Sequence, residues 1–323
     1  MWSFSSKKSI HIQLIEPVIF VGSYMETCPV VRGIVHISLF KHLYFEQLAL
    51  QFKGTLTAQH QVIQLISQQL TFCPSQAIYV DKDHLQFIFE MPLPATLPES
   101  VDHSELTVSY ELIAHLDQFN VKIDQKQEEI KKIQVNLARL PESGMLCGEN
   151  YPSSIDSLKH TSPWCQYRIM VDKTSAALGS TLPVQLVIAS TVNELKIKQV
   201  FAQLIQTVRV GTHESQSVHF LHPVQDWVLP HKSIQQWHGN SVYQIPFSVS
   251  HSTKAYAQFG VHHALLVSVI LACDHHQQKT VSYQTSIDLI DSQLSHVCTK
   301  LPSYNSPIST FEKEKLKCLA VLY

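Results

Sequence analysis

The chain has 323 residues, with 24 Lys and Arg against 26 Asp and Glu, a formal charge of −2 and a pI near 6.8. At 45% hydrophobic and 15% charged residues it carries enough apolar material for a sizeable core and lacks the composition of a disordered chain. The charge balance excludes a broad basic field for nucleic acid or an anionic bilayer, and nine glycines, with neither GxGxxG nor GxxxxGK[ST], argue against a dinucleotide or P-loop fold.

The amino terminus carries Lys7 and Lys8 without an apolar stretch long enough for a signal peptide. The first ordered unit runs from a glycine-marked turn at Val31–Gly33 through an alternating strand with Val35, Ile37 and Leu39 on one face. A polar break follows, then a second strand with Leu48, Leu50 and Phe52 on one face, ending at Gly54. Alternation recurs at His84–Phe89, Val108–Ala114 and Ile133–Leu137, each placing its large apolar residues on one face, as a sandwich strand requires. Gln125–Lys132 has helical composition yet leads straight into a strand. Residues 140–154 are rich in Pro, Gly and Ser, which sets a domain boundary near residue 155.

Beyond it the opening design returns, about 150 residues later, at domain rather than solenoid spacing. Leu178–Ser180 supplies the glycine turn, Val184, Leu186 and Ile188 the first strand face, and Val200, Ala202 and Leu204 the second. Further strands are expected at Tyr167–Ile169, Tyr243–Val249, Leu265–Leu271 and Val281–Ile287. Ala264–Cys273, the longest apolar run, is about half the length that spans a bilayer. After Cys298 the cluster Pro302, Ser303, Asn305, Ser306 and Pro307 marks a tail, in which Phe311–Val321 has the composition of a short helix. The pattern predicts an all-β protein of two tandem immunoglobulin-like β-sandwich domains, residues 1–155 and 156–298, with a tail at 299–323.

The seven cysteines are odd in number, scattered and without CxxC pairs, as expected of reduced thiols in the cytosol. Cys273-Asp274-His275-His276 collects three kinds of metal ligand, but no matching pair stands at zinc-site spacing, and a hairpin loop accounts for it equally. The nineteen histidines are dispersed, mostly at solvent-facing strand positions, with a pH-sensitive surface as the alternative. No GxSxG elbow is present. The expectation is a protein without catalytic residues, metal or cofactor.

Ile10–Phe20, Val31–Val35, Leu48–Gly54, Phe87–Pro94, Leu97–Ser100 and Val108–Leu112 together resemble, in order, the amino-terminal domain of arrestin-like proteins, and Tyr167–Val210 resembles the carboxy-terminal domain. The resemblance covers about residues 10 to 295 and lies in ordered pattern rather than in one invariant motif. It is closest to the alpha-arrestins, trafficking adaptors without the phosphate-sensing core of visual and beta-arrestins. That subgroup carries Pro-Pro-x-Tyr or Leu-Pro-x-Tyr motifs that bind WW domains of HECT-type ubiquitin ligases, and Leu301-Pro302-Ser303-Tyr304 stands where the family places one. Pro302 favours a polyproline II turn for an aromatic groove, and Tyr304 fills a separate pocket. Leu301 in place of a proline costs up to about 1 kcal/mol of preorganisation. A plain proline-marked exit from the last strand is the other reading.

The resemblance further implies ubiquitin acceptors in Lys126, Lys131 and Lys132, with Lys122 nearby, against a solvated charge run around Glu128 and Glu129. Ser306, before Pro307, is a candidate phosphosite beside the motif. The expected function is a cytosolic adaptor, recruited to plasma membrane or endosomes, that links cytosolic segments of plasma-membrane transporters or receptors to a WW-domain HECT-type ligase and so promotes ubiquitination and endocytosis. Nucleic acid is not an expected partner. The alternatives are a ligase-independent arrestin-fold scaffold in signalling or vesicle sorting, and a small-molecule or metal-binding sandwich enzyme suggested only by Cys273–His276.

Overall fold

The computed structural model describes residues 10–21, 28–38, 43–59, 61–79, 84–120, 125–139, 154–254, 256–273 and 277–292. Within them the chain is all β, with twenty-one strands and one short 3-10 turn at Pro74–Gln76. Ten strands come from the first part: β1 (Ile10–Leu14), β2 (Val18–Val21), β3 (Val30–Ser38), β4 (Leu43–Ala58), β5 (Gln61–Phe72), β6 (Ile78–Tyr79), β7 (His84–Pro92), β8 (Val101–His103), β9 (Leu106–Asn120) and β10 (Gln125–Arg139). The second part supplies β11 (Ile155–Asp156), β12 (His160–Thr161), β13 (Cys165–Val171), β14 (Ser175–Ala177), β15 (Thr181–Ser190), β16 (Lys196–Val210), β17 (His213–Phe220), β18 (His222–Gln225), β19 (Gln236–Gln244), β20 (Phe259–Ala272) and β21 (Gln278–Ile290).

Pairing order repeats between the two parts. In the first, one sheet runs β1-β3-β7-β6 and the other β2-β10-β9-β4-β5, with β8 on β9. In the second, one runs β11-β13-β15-β19-β18, with β12 on β13, and the other β14-β21-β20-β16-β17. Neighbours are antiparallel except at one place in each part, where β2 lies parallel to β10 and β14 parallel to β21.

Alternation explains these strands. On β4 Leu48, Leu50 and Phe52 are buried, and on β3 Val31, Val35 and Ile37 face the same core. Val184, Leu186 and Ile188 of β15 and Val200, Ala202 and Leu204 of β16 do the same in a second core cluster. The first cluster is not closed by its own strands. Val208, Phe259 and Val261, from the ends of β16 and β20, pack into it. Ala138, Ala177 and Ile290, with Val18 and Phe20 against them, form a third, small cluster where the parallel strand pairs of the two parts meet.

The expected boundaries need four corrections. Gly33 marks no turn: it lies inside β3, where a Cβ would come 2.5 Å from the Gln13 carbonyl oxygen and 2.6 Å from the Phe89 ring. Gly54 does not end its strand either; β4 runs on to Ala58 through a bulge at Gly54/Thr55, and the glycine makes room for the Tyr110 ring. Gly179 is the turn residue anticipated, with φ +77°. The strand expected over Tyr243–Val249 stops at Gln244, because Pro246 has no N–H for the ladder; Ile245 and Val249 are still buried, while Phe247 is 72% exposed. Gln125–Lys132, of helical composition, forms the first half of β10. The boundary region 140–153 and the tail lie outside the described residues.

Tyr110, fully buried on β9, stacks on Phe52 with centroids 5.6 Å apart, and its hydroxyl donates to the Pro98 carbonyl at 2.6 Å. Burial and the nearby Glu99 charge raise its pKa far above the usual phenol range, so it stays a donor at any working pH. Tyr110→Phe leaves that carbonyl without its buried donor and is expected to cost about 1 kcal/mol in urea unfolding. The bond pins the turn that presents Glu99.

Candidate functional site

The segment from Leu97 to Ser100 is tethered at both ends. Leu97 N–H donates to the Pro94 carbonyl at 3.2 Å, and Ser100 N–H to the Leu137 carbonyl at 2.7 Å. Between these ties Glu99 turns inward and is fully buried. Its Oε1 accepts from the Lys254 N–H at 2.9 Å, and its Oε2 accepts from the Tyr256 hydroxyl. Arg139, the last residue of β10, brings Nε to 3.4 Å from Glu99 Oε1, and its other face donates to Asp288 Oδ1 at 2.8 Å. A carboxylate from the first part is thus held by backbone and hydroxyl of the second, and an arginine of the first part reaches an acid on β21 of the second. Burial, the Glu99 charge and their hydrogen bond push the Tyr256 hydroxyl well above its ordinary range, so it remains a donor.

Tyr256 is itself positioned. The Arg209 guanidinium donates to the carbonyls of Tyr256 at 2.5 Å and Ala257 at 3.2 Å, and the Tyr256 ring lies 4.9 Å from Phe259.

A second buried polar set adjoins this one through Ser252. His263 on β20 is 4% exposed. Its Nε2 lies 3.1 Å from Gln206 Oε1 and its Nδ1 2.9 Å from Ser252 Oγ, while Ser252 Oγ also accepts from Leu289 N–H at 2.8 Å. A carboxamide oxygen only accepts, so the consistent assignment is a neutral ring that donates from Nε2 to Gln206 and accepts at Nδ1 from Ser252. Burial, with smaller contributions from His251, His219 and His262, lowers the His263 pKa to about 3. The His251 pKa is lowered by burial as well, against the opposing pull of Glu99 and Asp291.

Two open clefts of about 740 Å³ border this junction. Tyr110, Phe247, His251 and Asp291 line one, and Arg139, Lys254, His263 and Asp288 line the other. Among the described residues no three His, Cys, Asp or Glu side chains are placed to hold a metal ion, and no helix is long and apolar enough to cross a membrane. The contacts of Glu99 and Arg139 fasten the two parts to each other, whereas the His263, Gln206 and Ser252 set ties strands within the second part.

The anticipated site residues are elsewhere. Leu301, Pro302, Tyr304 and Ser306 lie outside the described residues, as do Lys122 and the segment Asp274–His276. Cys273 follows β20, and its thiol donates to the Asn193 carbonyl at 3.2 Å. Lys126 belongs to β10, while Lys131 and Lys132 sit further along it opposite Ala114 and Ile113, so as neighbours they point to opposite faces. Glu128 there takes a 2.8 Å contact from His115, part of the charge run that the sequence suggested. Glu99, Arg139 and Asp288 are not among the site residues expected from the sequence, and His263, expected beside a strand among histidines that mostly face solvent, lies within β20 and is buried. No protein-family model matches the chain, and comparison with curated proteins finds no relative.

Proposed function

We propose that the chain is a non-enzymatic, arrestin-like adaptor, in which two similar β-sandwich domains form a platform for cytosolic segments of a membrane protein and Leu301-Pro302-Ser303-Tyr304 engages a WW-domain HECT-type ubiquitin ligase. The observation that carries the reading is the repeated pairing order, in which each part has one sheet closed by a short parallel edge strand. This supports a duplicated sandwich, and the buried junction supports a single platform for cargo. An adaptor of this kind supplies no chemistry: it makes the encounter of ligase and cargo intramolecular and raises their effective concentration. Lys126, Lys131 and Lys132 are then candidate acceptors on the platform, and Ser306 is a candidate site at which added charge weakens docking.

The test is the affinity of purified WW domains for the full chain and for Tyr304→Ala. Binding that falls about tenfold or more in the variant supports the ligase adaptor, because the tyrosine fills its own pocket. Equal or absent binding in both proteins removes the ligase and leaves the ligase-independent scaffold, for which Tyr304→Ala leaves cargo turnover unchanged.

A further inference from the structure

The strand β5 is the outer member of its sheet, and among the described residues nothing pairs with its far side. Exposed edges are ordinarily kept short or interrupted by charge or proline, since their unpaired N–H and C=O groups template another strand. The other edges are shorter, β1, β2 and β14 having five, four and three residues and β17 eight. Two of them, β6 and β11, have two residues each; β18 has four, including Pro223; and β17 carries Glu214. By contrast, β5 has twelve residues, Gln61–Phe72, with no charge and no proline. Val62 and Ile63 near its start are 68% and 46% exposed, and Leu65, Ile66, Leu70 and Phe72 are only partly buried against the core.

An independent observation lies at the middle of the strand. Gln68 is paired with the buried Phe52, so its side chain takes the core-facing side, and its Oε1 is buried without a hydrogen-bond partner. A buried acceptor left unmatched costs on the order of 1 to 3 kcal/mol. We infer that β5 is a self-association strand, pairing antiparallel with β5 of a second copy about a twofold axis through Gln68.

That axis sets Gln68 against its own symmetry mate, whose amide nitrogen donates to the orphaned oxygen in each direction. Ile66 then faces Leu70 on the core side, and Ser67 faces Gln69 on the outer side, which continues the inner and outer faces of the sheet across the junction. The absence of charge favours a second copy over a charged peptide, since self-pairing sets no like charges together. A single strand pair is small beside the roughly 20 to 30 residues a side of a standard interface, so the dimer is weak and concentration-dependent.

Sedimentation velocity of the full chain over a concentration series is the test, with two outer-face variants. Ser67 and Gln69 lie opposite Lys53 and Gln51 of β4, away from the core, so both positions tolerate charge. Wild type is expected to shift from monomer to dimer as concentration rises. Ser67→Glu with Gln69→Glu sets acids against acids across the axis and abolishes the dimer, whereas Ser67→Glu with Gln69→Lys sets Glu against Lys and restores it. A wild-type monomer throughout the series overturns the inference. So does a dimer that survives the double-Glu change, or a folded Glu/Lys variant that stays monomeric.

Discussion

Replacing Arg139 with methionine is expected to lower stability by about 3 to 5 kcal/mol, the cost of leaving a buried charge without its partner. Glu99 is fully buried and Arg139 exposes only 9% of its side chain, so water cannot take over when the guanidinium is removed. The Tyr256 hydroxyl and the Lys254 backbone N–H still donate to Glu99, but both are neutral donors and do not replace the charge of the guanidinium. The urea midpoint should fall with the denaturant slope unchanged. Adding Glu99→Gln to Arg139→Met should recover a large share, because the second change removes the stranded charge rather than another favourable contact. If Arg139→Met costs less than about 1 kcal/mol, the junction does not depend on this ion pair.

Acidification should act through His263. Its pKa is about 3 in the folded chain and near 6.5 when unfolded, so above pH 6.5 both states hold the ring neutral and stability is at its full value. Between pH 6.5 and about 3 the unfolded chain binds a proton that the folded chain refuses, and stability falls as pH falls, by up to about 1.4 kcal/mol per unit. From pH 7 to pH 5 this amounts to about 2 kcal/mol. His251 contributes with the same sign, since its pKa is also lowered; Glu99 and Asp291 face His251 and partly oppose it. Urea midpoints at the two pH values in wild type and His263→Gln isolate the His263 share. Gln at this position does not titrate, so its stability should change with pH less steeply; equal slopes would remove His263 as the cause.

Much of the strand framework was legible because one face of each strand meets a core. Val35 with Ile37, and Leu50 with Phe52, announce themselves by alternation, and all four are buried. The misread stretches lack that contrast. On β10 the residues Glu128 to Lys132 are exposed or half-buried in turn without a buried face, and Ile130 is 50% exposed, so Glu and Lys there read as helix formers. No strand was read at β5, where polar and apolar residues are mixed and no position is fully buried. The junction was illegible for another reason. Glu99, Arg139 and Asp288 are single charges far apart along the chain, each ordinary in its own neighbourhood, and only the meeting of the two parts sets them in contact.

The borrowing of Val208, Phe259 and Val261 by the first core bears on synthesis. On the ribosome strands β1 to β10 emerge before those three residues do, so the first core waits with an uncapped apolar rim until β16 and the start of β20 have left the exit tunnel. Folding of the first part as a unit in order of emergence is therefore expected to stall at its last step. The nascent protein should therefore be a chaperone client until β20 has emerged, and a stop codon in the region between the two parts should yield a sticky, short-lived fragment in place of a stable half.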